Sequence, residues 1–341
     1  MATSFRGGSP RRRRLFFDQR YVWPFINEKQ TMDQYLPSLS VIIPAYNEEA
    51  FIGATLRRVC DVLDGGLSKE VVVVDNSSTD GTEALVKGIE GVTLVSLGER
   101  GTISRARNVG VFSSTASVLV FLDADVLITG EWARQLLQDL PLLEAEPFLV
   151  TGARYDLSEE PGTLEKVWFD RLVRRTHRAA TYLNGGNIIT TRAVFDAVGG
   201  FREDLITGED VDFCDRARAG GAELRINPGY RTHHEGYPKT VKAFFLRELW
   251  HGTGDMQTPA AFMKSKVAMA AVVHSALWCL CLLFLVTGRF FAATVTGGMA
   301  MALNAALTVT KFGLISPKAL VPNFFYHSVY LVARSLSFLK R

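Results

Sequence analysis

Apolar residues in the first two thirds of the chain alternate between short continuous runs and longer stretches with helical spacing. Val71–Val74 is a continuous run, as expected of a strand buried on both faces of a parallel sheet. Glu48–Leu63 instead repeats its apolar positions every three or four residues, which predicts a helix. The same patterns predict strands at Ser40–Ala45, Val92–Leu97 and Val118–Leu122, and helices at Thr79–Ile89 and Thr102–Ser113. This alternation predicts an α/β fold with a doubly wound sheet.

Two uncharged stretches follow residue 260. Val267–Val286 and Phe290–Val309 each reach about 20 residues, the length a helix needs to cross a hydrocarbon core. Lys266 precedes the first stretch and Lys311 follows the second, so the positive-inside rule predicts that both ends face the cytoplasm. A pair of buried core helices is the alternative.

The remaining segments are predicted from charge and from apolar faces. Arg11–Arg14 lies either beside anionic headgroups or in a solvated tail. Thr240–Trp250 places Phe244 on an apolar face and Glu248 away from it, which predicts a helix along the membrane surface. The predicted divisions are a basic segment at 1–37, an α/β domain at 38–238, a surface helix and linker at 239–266, and a membrane region at 267–341, with spans at 267–287 and 290–310 and an interfacial helix or third span at 319–339.

Composition narrows the class of protein. Of 341 residues, 48% are hydrophobic and 21% are charged, a balance that excludes an intrinsically disordered chain. Four cysteines are too few for a disulfide scaffold. A net charge of +3 does not indicate a nucleic-acid partner. A globular domain joined to a membrane region fits these values.

A pair of carboxylates ends the fourth predicted strand. Asp123 and Asp125 follow the run Val118–Leu122, and ligands of open α/β sheets bind beyond the carboxyl ends of strands. Two carboxylates at this spacing can face one Mg²⁺ or Mn²⁺ that also binds substrate phosphates. The other interpretation is a turn that caps the helix near Trp132.

Two other strand ends carry side chains suited to a nucleoside. Asp75 and Asn76 follow the second predicted strand and can hydrogen-bond the edge of a base. Pro44, Tyr46 and Glu48 follow the first strand and add an aromatic ring and a carboxylate. Both loops are also consistent with ordinary turns and helix caps.

Further candidates lie on the third predicted helix and beyond it. Arg107 can pair with a phosphate, while the dinucleotide fingerprint G-x-G-x-x-G is absent after the first strand. Glu209 and Asp210 begin a predicted helix, where the helix dipole stabilises a carboxylate. His233 and His234 offer a third metal ligand, or are solvated.

These motifs occur together and in order, and the chain resembles the family 2 glycosyltransferases. The resemblance covers about residues 38–240 and is carried by VIIPAYNEE, VVVVDNSSTDGT, ARNVG, FLDADV, NGGN followed by VGGF, and GEDVDFCDR. It implies the GT-A fold and an inverting transfer from a nucleotide-diphosphate sugar with a divalent metal. It also implies that Asp75 contacts the base and that Asp210 is the catalytic base. Around the nucleotide it implies Pro44, Tyr46, Glu48 and Arg107, and for the metal and the sugar diphosphate it implies Asp123 and Asp125.

Two departures from the family pattern affect the expected acceptor. Asn76 stands where a second acidic residue is often seen, so base contacts can differ. Leu246–Trp250 resembles the Q-x-x-R-W motif of processive synthases but lacks its Gln, and two or three spans do not suggest a polymer channel. Residues expected to position acceptor or donor are Gly185, Gly186, Asn187, Glu209, Arg247 and Trp250.

The expected function is transfer of one sugar to a lipid-linked or other membrane acceptor in glycan or glycolipid synthesis. The expected location is integral to the membrane (the inner or plasma membrane if the chain is bacterial), with the catalytic domain in the cytoplasm. A polyprenyl-phosphate sugar synthase, a nucleotidyltransferase and a non-catalytic nucleotide-binding membrane protein are the alternatives.

Overall fold

The computed structural model describes residues 39–64, 68–179, 182–313 and 316–340. The basic segment predicted at 1–37 lies outside these residues. The strands are β1 (Leu39–Ala45), β2 (Lys69–Asp75), β3 (Val92–Ser96), β4 (Val118–Leu122), β5 (Val126–Ile128), β6 (Leu149–Gly152), β7 (Asn187–Thr191), β8 (Glu223–Ile226) and β9 (Thr232–His234). The helices are α1 (Ile52–Val62), α2 (Thr82–Lys87), α3 (Ile103–Phe112), α4 (Gly130–Ala145), α5 (Thr163–Ala179), α6 (Arg192–Val198), α7 (Glu209–Ala219), α8 (Val241–Asp255), α9 (Pro259–Lys264), α10 (Lys266–Val286), α11 (Phe290–Phe312) and α12 (Pro317–Ser335), before a 3₁₀ turn at Ser337–Lys340.

A mixed sheet of seven strands forms the centre of the described domain, in the order β3-β2-β1-β4-β7-β6-β8. Strands β1 to β4 run parallel, and β7 runs antiparallel to both β4 and β6. Strands β5 and β9 pair separately. The doubly wound mixed sheet predicted from the sequence is therefore confirmed. Helix α2 is shorter than predicted at both ends.

The sheet is covered on both faces because successive strand residues point to opposite sides. Val41 of β1 belongs to an apolar cluster with α1 and α4, represented by Leu56 and Trp132. Its neighbour Ile42 belongs to the cluster on the other face, which includes Phe213 of α7. The central strands β1 and β4 are completely buried, which explains their continuous apolar sequences.

The carboxyl ends of the parallel strands lie at one edge of the sheet, where Ala45 is the register partner of Asp75. The loops that follow β1 and β2 are joined to each other. The side chain of Asn47 accepts a hydrogen bond from the backbone N–H of Thr79 at 2.8 Å. Asn47 and Ser77 both have positive φ values, 57° and 61°, a conformation unusual for residues other than glycine. Backbone that is strained in this way is found preferentially at functional sites.

Helices α10 and α11 are long and apolar enough to cross a membrane. Their mean hydropathies over the best windows are 2.3 and 1.5, and only 17% of each window is buried against protein. Leu282, Val286 and Phe291 are among the exposed side chains. This exposure is opposite to what a pair of buried core helices would show, and it fits the two predicted transmembrane helices.

Helix α12 turns its polar face toward protein. Asn323 and His327 are buried, and Nδ1 of His327 lies 2.9 Å from the hydroxyl of Thr308 in α11. Arg334 forms an ion pair with Glu248 of α8 at 3.0 Å. His327 and Arg334 therefore pack α12 against α11 and α8.

The environment of Glu248 corrects one prediction about α8. The sequence placed Glu248 away from the buried face of this helix, but Glu248 and Phe244 are 3% and 0% exposed. The two lie one helical turn apart and so share a face. Arg247 and Arg334 pair with the buried carboxylate, which compensates its loss of hydration.

We predict that Glu248→Gln destabilises the protein because it leaves two arginines without their shared carboxylate. Loss of one partner of a buried ion pair costs about 3–5 kcal/mol, and we expect an apparent Tm lower by at least about 5 °C. Glu83→Gln is the matched control, because Glu83 pairs with Lys87 at 2.7 Å on the surface. Thermal unfolding of the detergent-purified chain measures both. Equal shifts in the two variants would contradict this assignment.

Candidate active site

A cavity of about 1150 Å³ lies at the carboxyl edge of the parallel strands. The loops after β1, β2 and β4, the start of α7 and one side of α8 contribute its walls. The sequence-predicted residues that line it are Pro44, Tyr46, Glu48, Asn76, Arg107, Asp123, Asp125, Gly185, Glu209, Asp210, His234, Arg247 and Trp250. Residues distant in the sequence thus meet at the edge predicted for a ligand site of an open α/β sheet.

Asp75 and Asn76 have different roles at the end of β2. Asp75 is buried, and its Oδ2 accepts a hydrogen bond from the backbone of Ser78 at 3.0 Å. Its Oδ1 has no hydrogen-bond partner among the described residues. The amide of Asn76 pairs with the backbone of Gly101 at 2.7 and 2.9 Å. Asn76 therefore holds a loop at the cavity, whereas Asp75 lies behind the cavity lining with one buried acceptor that no described group satisfies.

Arg107 is 1% exposed and lies between two carboxylates. Its guanidinium contacts Asp123 at 2.8 Å and Glu209 at 2.7 Å. Two of its nitrogens are thus engaged by protein carboxylates, because a guanidinium offers separate donors to each. Arg107 also lines the cavity, and the phosphate contact expected from the sequence stays a prediction. Arg107 acts in this structure as a positioning residue that joins the end of β4 to the start of α7.

Asp123 is held from a second side by a residue that sequence reasoning missed. The hydroxyl of Tyr155 donates to Asp123 at 2.6 Å and accepts from the backbone N–H of Gly186 at 2.8 Å. Tyr155 lies outside every quoted motif, so no local signal indicated it. A Cβ added to Gly186 would overlap the carboxylate of Asp123, and one added to Gly185 would overlap Arg107. These two glycines therefore permit close approach of the backbone to the acidic centre.

Asp125 and His234 are neighbours across the β5–β9 ribbon. Oδ2 of Asp125 lies 3.4 Å from Nε2 of His234. Burial raises the pKa of Asp125, with His234 opposing and Asp123 adding to the shift. The other histidine, His233, directs its Nδ1 to the carbonyl of Leu157 at 2.9 Å, as expected for adjacent strand residues that face opposite sides.

Negative charge is concentrated around this pair. Burial, followed by the charges of Asp125 and Asp123, raises the pKa of Glu48 to about 8. Among the described residues, no three His, Cys, Asp or Glu side chains form a preformed metal cage. The carboxylates nonetheless match the oxygen donors that Mg²⁺ and Mn²⁺ prefer. Asp125 and His234 are the residues best placed to hold such a cation.

Asp210 lies in the first turn of α7, where its carboxylate accepts two backbone hydrogen bonds. Its Oδ1 accepts from Val211 at 2.8 Å, and its Oδ2 accepts from Gly185 at 3.3 Å. Burial and then the adjacent Glu209 raise the pKa of Asp210 to about 6, against the opposing effect of Arg107. A carboxylate with this pKa is ionised at neutral pH and retains some basicity.

Asn187 does not reach the cavity. It is 0% exposed, and its Oδ1 accepts from the indole of Trp132 at 2.9 Å. Its Nδ2 donates to the carbonyls of Tyr230 and Ala153 at 2.8 and 3.1 Å. The positioning of a ligand expected of Asn187 is thus replaced by a structural role, joining β7 to α4 and to the β8–β9 connection.

Arg247 and Trp250 reach the cavity from α8. The guanidinium of Arg247 lies over the ring of Phe169 at 5.0 Å and pairs with Glu248 at 3.1 Å. Trp250 packs edge to face on His251 at 4.8 Å. The short motif noted in the sequence therefore contributes a cation and an aromatic ring opposite the acidic centre.

Two protein-family profiles identify the class of enzyme to which this site belongs. A profile described as "Glycosyl transferase family group 2" matches residues 137–309, about half of the chain. A second, described as "Glycosyl transferase family 2", matches residues 40–199. The chain belongs to the family 2 glycosyltransferases, and it is a transferase of the class that uses nucleotide sugars.

Individual relatives are similar over most of the chain. Glycosyltransferase AglE of Haloferax volcanii is 25% identical over 257 residues, which are 73% of this chain and 82% of the relative. Validoxylamine A glucosyltransferase of Streptomyces hygroscopicus subsp. limoneus is 30% identical over 63% of this chain, but the match spans only 51% of that protein. The solved structure of mannosyltransferase PcManGT from Pyrobaculum calidifontis, in complex with GDP-Man and Mn²⁺, superposes with a TM-score of 0.53 at 21% identity. That match covers 89% of this chain and 88% of PcManGT, and it shows the shared GT-A fold.

We predict that Gly186→Ala lowers sugar-transfer activity by at least about 100-fold. The added methyl group must displace Asp123, and a displacement of about 1 Å at a reacting centre can cost this much. Gly130→Ala is the matched control, because nothing lies within 4 Å of a Cβ at Gly130. Turnover of a donor sugar by both variants provides the measurement, and similar activities would contradict the steric argument.

Proposed function

We propose that this protein is a metal-dependent, inverting glycosyltransferase that moves a sugar from a nucleotide-diphosphate sugar to a lipid-linked acceptor at the membrane. The observation that carries the proposal is the position of Asp210. It is a half-buried carboxylate with a pKa of about 6, and it shares one cavity with Asp123 and Asp125. One cavity thus supplies a base for an acceptor and carboxylates for a donor.

The donor would lie along the carboxyl ends of β1, β2 and β4. The unpaired Oδ1 of Asp75 would accept a hydrogen bond from the base, and Pro44 and Tyr46 would lie beside the nucleoside. The guanidinium of Arg100, 3.8 Å from the centre of the Tyr46 ring, would stiffen this wall. The GDP-Man bound to PcManGT supports a sugar nucleotide as the ligand. Binding measurements with different nucleotides identify the base.

Asp125 and His234 would hold Mg²⁺ or Mn²⁺, with Asp123 and Glu48 adding negative charge nearby. A bound divalent cation neutralises charge that develops on a leaving diphosphate. Arg107 and Tyr155 keep Asp123 in a fixed orientation throughout. The excess of half-buried carboxylates in this part of the cavity supports the cation.

Asp210 would act on the acceptor. Its carboxylate takes the proton from an acceptor hydroxyl as the oxygen bonds to the anomeric carbon, and the bond from that carbon to the diphosphate breaks. The nucleoside diphosphate leaves with the bonding electrons, and in-line attack inverts the anomeric centre. The backbone hydrogen bonds from Val211 and Gly185 fix the carboxylate for this step.

Helices α10 and α11 would place this chemistry at the membrane surface. Lys264 precedes α10 and Lys266 begins it, while Lys311 and Lys318 flank the end of α11, so the positive-inside rule favours a cytoplasmic catalytic domain. In this arrangement residues 38–238 form the catalytic domain, 239–266 the juxtamembrane segment and 267–341 the membrane region. A lipid-linked acceptor is concentrated at the surface where the cavity lies.

Asp210→Asn is expected to reduce the turnover number roughly 10²- to 10⁴-fold, the contribution of a general base. The turnover of the wild type should rise as the pH increases through about 6, because the base must lose its proton, and then level off. Steady-state rates between pH 5 and 8 measure both effects, with the Tm confirming that the variant is folded. Wild-type rates in Asp210→Asn would contradict the role of base and favour an acceptor that is already anionic.

His234→Ala is expected to raise the Mn²⁺ concentration that gives half-maximal activity by at least about tenfold, because one ligand of two is removed. His233→Ala is the matched control, since His233 contacts the carbonyl of Leu157 instead of Asp125. Activity is titrated with Mn²⁺ after chelator treatment. Identical midpoints in the two variants, or full activity in excess chelator, would overturn the proposed metal site.

A further inference from the structure

A tyrosine between β6 and α5 contacts two separate parts of the acidic centre. Tyr155 is half-buried and lines the catalytic cavity. Its hydroxyl contacts Asp123, and its ring contacts His234. Among the described residues, no hydrogen bond or ion pair joins Asp123 directly to His234. Tyr155 therefore connects a carboxylate on the donor side to the histidine best placed to bind a cation.

The hydroxyl of Tyr155 and the guanidinium of Arg107 hold Asp123 from two sides. Arg107 donates to Oδ1 of Asp123 at 2.8 Å, whereas Tyr155 donates to Oδ2 at 2.6 Å. The same hydroxyl accepts a hydrogen bond from the backbone N–H of Gly186 at 2.8 Å. Removal of the hydroxyl would leave Oδ2 without this donor and would free the carboxylate to rotate about its Cβ–Cγ bond.

The phenol of Tyr155 stays a hydrogen-bond donor at neutral pH. Burial, followed by the negative charge of Asp123, raises the pKa of Tyr155 well above its usual range, so the hydroxyl keeps its proton. A neutral phenol donates a hydrogen bond without bringing a positive charge. In contrast to Arg107, Tyr155 therefore orients the Asp123 carboxylate without neutralising it.

Aromatic rings orient the imidazole of His234. A histidine that binds a metal is usually oriented by a hydrogen bond to its second ring nitrogen. Nδ1 of His234 is buried, and it has no hydrogen-bond partner among the described residues. The ring of Tyr155 instead stacks on the imidazole, with the centroids 4.8 Å apart and the planes at 23°, and Tyr237 is tilted against it at 4.5 Å. These rings restrict rotation of the imidazole, whose Nε2 lies 3.4 Å from Oδ2 of Asp125.

We propose that Tyr155 is a positioning residue that sets the relative placement of Asp123 and His234. Its hydroxyl orients the carboxylate on the donor side, and its ring orients the imidazole that would bind the cation. The inference rests on the proposed function, in which Asp125 and His234 hold Mg²⁺ or Mn²⁺. Because the hydroxyl and the ring act on different residues, two substitutions at this one position separate their effects.

The test compares Tyr155→Phe, which keeps the ring, with Tyr155→Leu, which removes both the hydroxyl and the ring. Mn²⁺ binding to the full chain in detergent is measured from the electron paramagnetic resonance signal of free Mn²⁺, and the turnover number is measured at saturating Mn²⁺. We expect Tyr155→Phe to keep the dissociation constant for Mn²⁺ within about twofold, but to lower the turnover number at least about tenfold because Asp123 is no longer fixed. Tyr155→Leu should share that loss and should also weaken Mn²⁺ binding about tenfold.

Tyr230→Phe is the matched control for loss of a tyrosine hydroxyl that is bonded to a carboxylate. The hydroxyl of Tyr230 donates to Asp139 at 3.0 Å, and Tyr230 lies outside the cavity lining. This variant should keep the Mn²⁺ affinity and the turnover number of the wild type. Tyr155→Met, which fills space without an aromatic ring, replaces Tyr155→Leu if the leucine variant does not fold.

Three results would overturn the inference. A wild-type turnover number in Tyr155→Phe would contradict the role of the hydroxyl. Unchanged Mn²⁺ affinity in folded Tyr155→Leu would contradict the role of the ring. Equal loss of Mn²⁺ affinity in Tyr155→Phe and Tyr155→Leu would assign control of the cation to the hydroxyl and contradict the division between the two groups.

These results differ from a failure of the proposed function. A wild type that binds Mn²⁺ and transfers sugar, with variants that behave like it, would leave the transferase standing and overturn the role of Tyr155. A wild type that transfers no sugar would contradict the proposed function, while the Mn²⁺ affinities of the two variants would still support or overturn the ring contact. A wild type that binds no Mn²⁺ would contradict both the proposed metal site and the orientation of His234 for a cation.

Discussion

The rest of the active site depends on the contacts of one fully buried guanidinium group. Arg107 ties Asp123 at the end of β4 to Glu209 at the start of α7, at 2.8 and 2.7 Å. It therefore fixes the separation between the carboxylates on the donor side and Asp210, the neighbour of Glu209. Breaking a buried charge network of this kind typically costs about 3–5 kcal/mol, because the remaining charges lose their compensation. The geometry of donor and acceptor chemistry thus rests on one guanidinium that is held between two protein carboxylates.

Local sequence patterns predicted the sheet and the edge at which the site lies, but not the partners of its polar side chains. Continuous apolar runs ending in polar residues were sufficient to place Asp75 and Asp125 at strand ends. Arg107 was expected to bind a phosphate and Asn187 a ligand. In the structure Arg107 pairs with Glu209, and Asn187 accepts a hydrogen bond from Trp132. These partners lie 16 to 102 residues away in sequence, as for Asp123 and Glu209, so no local spacing encodes the pairing.

The membrane-proximal helices show the same limit of sequence reasoning. Length and hydropathy predicted α10 and α11, since these properties depend on composition alone. The polar residues of α12 instead depend on tertiary partners that no local pattern encodes, Thr308 of α11 for His327 and Glu248 of α8 for Arg334. That contact brings Tyr330 and Arg334 to the catalytic cavity. The transferase domain and the apolar helices therefore share one active-site surface.

The measurement that tests the central claim most directly is thermal stabilisation of the full chain by UDP, GDP, CDP and TDP, each with and without Mn²⁺. A ligand that binds the native state alone raises its apparent stability by mass action. The cavity described here predicts stabilisation by at least one of the four nucleotides, and a markedly larger effect when Mn²⁺ is present. Folded protein that none of them stabilises would contradict a metal-dependent nucleotide-sugar site at the ends of these strands.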